Sequence, residues 1–146
     1  MFKRFSFWLW STAVFQLLSG AFHSISFFVE EKPADDTERQ LHHLLTTYKK
    51  DLGAGFSPTM MDLVIALSFC MVLVCLLGGI LNIYLWRKKV AMQVMKGVMG
   101  INAIIFGAGF IVMLFFTFLI PIICFGLIFV SCVSAWFVAD IRQTRT

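Results

Sequence analysis

Residues 90–138 form 49 consecutive positions interrupted by a single charge, Lys96. As one straight helix this run would extend ~74 Å at ~1.5 Å per residue, more than twice the ~30 Å hydrocarbon core of a bilayer. It therefore has to fold back on itself. Pro121 is the best break, since proline disfavours helix at the residue before it and suits the first turn of a new helix. The expected result is a tight helical hairpin with spans at about 90–118 and 121–138.

Two further apolar runs, at about 5–29 and 58–86, are each long enough to cross a membrane. Composition agrees: 60% of the 146 residues are hydrophobic and only 14% are charged, whereas water-soluble domains carry about a quarter charged residues. The expectation is an all-α fold, a single membrane domain over 1–146. It is a four-transmembrane-helix bundle with a short amphipathic helix in the first extramembrane loop, residues 30–57.

The net charge of +4 does not point to nucleic acid. Its basic residues stand in short groups beside apolar runs, where they set membrane topology. With the N-terminus inside, the inner segments hold Lys3, Arg4, Arg87, Lys88, Lys89, Lys96, Arg142 and Arg145. The outer loop holds Lys32, Arg39, Lys49 and Lys50 among the acids Glu30, Glu31, Asp35, Asp36, Glu38 and Asp51. Eight against four predicts N-in and C-in. The aromatics of "FSFWLW" at 5–10, with Trp86 and Trp136, suit an inner interfacial belt. A competing reading takes residues 1–21 as a signal peptide cleaved after Ala21, which would leave three spans.

Within the loop, Asp35 or Asp36 can cap a helix beginning near Thr37, with Glu38 in its first turn. Leu41, Leu44, Leu45, Tyr48 and Leu52 then share one face, and Gly53 and Gly55 stop the helix. Such a helix would lie on the membrane surface or lid the bundle. Next comes "FSPTMMD", read as Ser57 N-cap, Pro58 at the first helical position and Asp62 just inside.

Ionisable groups inside spans are expensive and raise a functional question by default. The clear cases are His23 and Asp62. Counted from the expected helix ends they lie at matched depths of ~9 Å and ~7.5 Å, so a contact between them would lower the desolvation cost of each. Gln16, Gly20 and His23 form one small and polar stripe that belongs against other helices. The pair could fasten two helices, or it could handle a ligand or a proton; the residues leave both open. With His42 and His43 from the loop helix, the ligand-binding candidates are Gln16, Gly20, His23, His42, His43 and Asp62.

No metal is expected. Adjacent histidines point ~100° apart on a helix, no HxxxH spacing exists, and a bis-histidine haem would need a histidine on a second span. Cys70, Cys75, Cys124 and Cys132 lie in apolar runs without ligand spacing and read as packing residues. No cofactor is expected, since phosphate-binding glycine loops, HExxH and nucleophile elbows are missing. Asn82 and Asn102 could hydrogen-bond between helices. Gly100, Ala103 and Gly107 form a small-residue stripe for close approach of a neighbouring helix, a partner membrane protein or a second copy.

The chain resembles a family of small, uncharacterised bacterial four-helix membrane proteins. The likeness lies in "SGAFHS" near the end of the first span and in "DLGAGFSPTMMDLVIALS", which leads through Ser57 to Asp62. Phe22 stands where that family usually has glycine. A looser similarity reaches DoxX-like and sterol-isomerase-like bundles. The resemblance implies four spans and places weight on His23 and Asp62, without an established activity.

Two functions remain in play. One is a non-enzymatic membrane protein binding a partner or an apolar, lipid-like ligand near the outer end of the bundle. The other is an enzyme or redox accessory acting on a lipid-like substrate, with His23 transferring protons and Asp62 orienting it. A proton-coupled transporter would want ionisable groups deeper than these, and near the middle of the first span the polar side chain is Gln16, which does not ionise.

Overall fold

The computed structural model describes residues 2–29 and 32–143, with side chains over 4–29 and 32–139. Glu30, Glu31 and Arg145, and the side chains of Lys3 and Arg142, which enter the charge count, lie outside the described residues. Among the described residues the fold is all-α: α1 (Phe2–Ile25), α2 (Asp36–Thr47), α3 (Met60–Arg87), α4 (Met92–Phe116) and α5 (Leu119–Gln143). Helices α1, α3, α4 and α5 are long and apolar enough to cross a membrane.

The long apolar run breaks at Thr117 and Phe118, and α5 starts at Leu119, two residues earlier than expected. Pro121 thus occupies the third helical position. A continuous helix would drive the Pro121 ring into the carbonyl of Thr117, four residues back. Thr117 leaves the helix instead, with φ −135° and ψ −173°, its backbone N–H closing on the Met113 carbonyl. The first N–H groups of a helix lack intrahelical partners anyway, so proline costs no hydrogen bond there.

Met1–Gly20 and Val74–Thr146 make up one of two compact units, and Ala21–Leu73 the other. In the first unit α4 and α5 run antiparallel through an interlocked set of glycines and aromatics. A Cβ on Gly107 would stand 2.8 Å from the Phe129 ring, and one on Gly109 would stand 2.5 Å from Phe125. Phe110 and Phe129 stack at 6.3 Å. Gly100 and Gly107, read from sequence as a stripe for some neighbouring helix, here receive Trp136 and Phe129 of the same chain. A buried cluster of Phe5, Leu9, Met95, Met99, Ala135 and Ala139 packs at one end, flanked by Trp8, Trp86 and Trp136.

The long helices turn much of their apolar surface outward. Only 17% of the apolar window of α3, and of α4, is buried. Leu67, Ile104 and Phe116 are 71%, 74% and 81% exposed.

In the second unit α1 ends at Ile25, not Val29, and a turn follows in which Phe27 N donates to Ser24 O and Phe28 N to Ile25 O. Helix α2 begins as expected, Asp35 accepting a 2.8 Å hydrogen bond from Glu38 N. It stops at Thr47, however, well short of Leu52. Thr46 and Thr47 turn their hydroxyls back onto the His42 and His43 carbonyls, a competition that weakens helices. Tyr48 is extended.

The chain then forms a short hairpin. Lys49 bridges Thr59, Lys50 N donates to Pro58 O, and the tip passes through positive φ at Gly53, Ala54 and Gly55. Leu52 therefore sits in the hairpin, beyond the helix whose face it was expected to share. Pro58 is used in the hairpin as well, so α3 begins at Met60, two residues later than the Ser57–Pro58 start read from sequence.

Candidate functional site

Asp62 belongs to a reciprocal cap. Its backbone N–H donates to Thr59 Oγ1 (3.1 Å), while its Oδ2 accepts from Thr59 N (2.9 Å) and from the Thr59 hydroxyl (2.8 Å). This arrangement satisfies two orphan donors at once, with aspartate in the place usual for Glu or Gln. Ser57 offers no such reciprocity, which is why Thr59 starts the helix. Asp62 is exposed and lies in the first turn rather than a turn and a half below it.

His23 likewise occupies the last turn of its helix, since α1 ends two residues later. Its ring meets Phe27 edge-on at 6.1 Å, and Phe27 stacks on Phe69 at 4.3 Å. Among the described residues His23 and Asp62 share neither a hydrogen bond nor an ion pair. The expected imidazole–carboxylate pair is not formed, because each residue serves its own helix end. His42 and His43 are exposed on α2, and His43 stands 3.5 Å from Thr47 Oγ1. No group of three or more His, Cys, Asp or Glu among the described residues could hold a metal ion.

Gln16 takes a different part. It is fully buried, as is Asn82. Its Nε2 donates to Asn102 Oδ1 at 2.8 Å, and its Oε1 accepts from Asn82 Nδ2 at 2.9 Å. Asn102 Nδ2 donates in turn to the Val98 carbonyl. One amide thus ties α1 to both α3 and α4. Glycine at 78 makes this possible, because a Cβ there would stand 2.6 Å from Gln16 Nε2. Asn82 Oδ1 is buried without a partner.

Asn102 lies ten residues into α4, ~15 Å from its start, and Asn82 five residues before the end of α3, ~7.5 Å from it. Thr12, one turn before Gln16, is also fully buried and turns its hydroxyl onto the Trp8 carbonyl. Gly20, the next member of the stripe, is buried in α1. All three amides stand out in the sequence as polar residues inside apolar runs, but their convergence does not.

A cavity of about 630 Å³ opens where α3 turns into α4. Its apolar wall is Trp10, Trp86, Val90, Met92 and the fully buried Met95, and its charged lining is Arg87 and Lys89. The turn is a six-to-one helix ending: Val90 N donates to Leu85 O and Lys89 N to Trp86 O. Such endings place their penultimate residue in the left-handed region, usually as glycine. Here it is Lys89, at φ 52°. Met92 opens α4, whose N-cap Ala91 makes no side-chain cap.

The arrangement can hold a molecule with an apolar body and an anionic end. None of the residues lining the cavity is a His, Cys, Asp or Glu that could serve as base or nucleophile. Sequence reasoning did not find this site. The signal was "YLWRKKV", where Trp86 meets three consecutive cations, but a belt tryptophan and topology-setting charges explain the same residues. Compared with known families, with curated proteins and with solved structures, the chain has no match.

Proposed function

We propose that this chain is a multi-pass membrane protein whose work is binding, and that it holds an apolar, lipid-like ligand in the cavity walled by Trp10, Trp86 and Met95. Four apolar helices whose side chains face outward support the membrane reading, since a water-soluble fold would bury such surface. The lysine and arginine count favours N-in and C-in, which puts the cavity on the inner side of a bacterial cytoplasmic membrane.

The observation that carries the binding reading is the cavity itself. Its ~630 Å³ falls within the 300–1,000 Å³ of ligand sites, and its apolar walls with a few polar groups are of the usual kind. This moves the ligand from the His23 and Asp62 region to the α3–α4 turn. The enzymatic alternative loses its support, because it required those two side chains to act together.

The test is native mass spectrometry of the protein purified in mild detergent. A bound lipid-mass adduct is expected on the wild type and is expected to be lost in Trp10→Ala. No adduct on the wild type, or the same adduct on the variant, would refute the reading. A second reading, docking of a partner membrane protein, is favoured by α2, whose Leu41 and Leu44 face outward and which buries no residue.

A further inference from the structure

We infer that the cavity selects an anionic phosphate headgroup, that of an acidic glycerophospholipid, with Arg87 and Lys89 as the headgroup contacts and Trp10 and Trp86 beside the first part of the acyl chains. The inference rests on the ligand-binding reading above and adds the chemical class of the ligand.

Charge balance comes first. The unit that contains the cavity holds eight lysines and arginines against one acid, Asp140. Its counter-charge therefore has to come from outside the unit. Lys88 lies over the Tyr84 ring at 5.7 Å and Lys96 over Trp136 at 5.1 Å. Arg87 and Lys89 line the cavity and have no carboxylate partner among the described residues.

Backbone conformation points the same way. A lysine in the left-handed region is strained where glycine would be relaxed, and an outlier of this kind at a ligand-sized cavity is the pattern of a functional position. Lys89 keeps an ammonium at the rim in spite of that strain. The start of α4 adds a third contribution. Its uncapped first-turn N–H groups carry partial positive charge, and no acidic side chain stands in that turn to neutralise it.

A diester or monoester phosphate satisfies all three. A lipid fits better than a soluble phosphate ester because the rest of the lining is tryptophan, methionine and valine.

The experiment uses the full chain in neutral detergent doped with phosphatidylglycerol or with phosphatidylcholine of the same acyl chains, read by native mass spectrometry. Two cations at a lipid surface correspond to about a 30-fold preference for the anionic lipid. The double variant Arg87→Gln, Lys89→Gln is expected to bring that preference close to one while still retaining lipid. The charge-preserving double variant Arg87→Lys, Lys89→Arg is expected to keep it. Glycerol 3-phosphate and inorganic phosphate at millimolar concentration are expected not to displace the lipid.

Equal retention of both lipids by the wild type, or an unchanged preference in the glutamine variant, overturns the headgroup assignment. If Trp10→Ala then still abolishes retention, the binding reading stands without it. Displacement by glycerol 3-phosphate assigns the site to a soluble phosphate ester and overturns the lipid. Retention of neither lipid by the wild type overturns both readings.

Discussion

Replacing Gln16 by methionine removes both hydrogen bonds that join α1 to Asn82 and Asn102 while keeping an unbranched side chain that fits beside Gly78. The buried Asn82 Nδ2 and the half-buried Asn102 Oδ1 then lose their partners, in addition to the already orphaned Asn82 Oδ1. Counted as inter-helix hydrogen bonds in a membrane protein, at ~0.6 kcal/mol each, the loss is at least ~1.2 kcal/mol. Counted as one orphaned buried group, Asn82 Nδ2, at ~1–3 kcal/mol and a smaller amount for the half-buried Asn102 Oδ1, it reaches a similar or larger figure. A destabilisation of about 2 kcal/mol is expected.

Asn82→Leu behaves differently. It exchanges one orphan, Asn82 Oδ1, for another, Gln16 Oε1, and is expected to change stability by less than about 0.5 kcal/mol. The double variant leaves only Asn102 Oδ1 unpaired, as many orphans as the wild type has, and is expected near wild-type stability. The coupling energy is then about −2 kcal/mol, well outside the ~0.5 kcal/mol within which independent sites add. The assay is equilibrium unfolding in mixed micelles as the fraction of sodium dodecyl sulfate rises, followed by far-ultraviolet circular dichroism. An additive cycle, or a Gln16→Met variant within ~0.5 kcal/mol of wild type, would show that the amide node does not hold the helices as argued.

Lys89→Gly relieves a left-handed lysine and is expected to raise stability by about 1 kcal/mol while lowering anionic lipid retention; a fall in stability in the same unfolding assay would contradict the first part. Gly107→Ala forces a methyl to within 2.8 Å of the Phe129 ring, and the overpacking is expected to cost about 1–3 kcal/mol, read as a lower midpoint in dodecyl sulfate. Thr59→Ala removes the hydroxyl half of the α3 cap and is expected to cost about 1 kcal/mol, whereas His23→Gln, which loses only an edge-on ring contact, is expected to stay within about 0.5 kcal/mol; equal losses in the two variants would contradict the cap assignment.

Much of the architecture is legible in local sequence because its causes are local. A 49-residue apolar run cannot remain one helix across a bilayer, and Pro121 dictates a break within one turn before itself. Asp35 or Asp36 with Glu38 announces the start of α2 to within one residue, near Thr37 against an observed Asp36. Boundaries were misplaced where two local signals competed. Ser57–Pro58 is a good helix start, but Thr59 with Asp62 is a better one, because it satisfies two donors reciprocally. The α2 leucine pattern continues through Leu52, yet the threonines at 46 and 47 and the glycines at 53 and 55 favour a hairpin.

The candidate site was less legible, for a different reason. The long helices are apolar nearly all round, so no polar face reveals which side turns inward. Helix rotation and register are then set by close packing, by Gly78 against Gln16 and by Gly107 and Gly109 against phenylalanines. These contacts decide that the amides of residues 16, 82 and 102 converge, while His23 and Asp62 each finish or begin a helix. The existence of four long apolar helices, their approximate limits and the polar residues within them were determined by the sequence alone. Which of those polar residues meet, and that Trp10 of α1 closes a cavity beside the α3–α4 turn, was decided only in the tertiary structure, because both depend on how one helix is rotated against another.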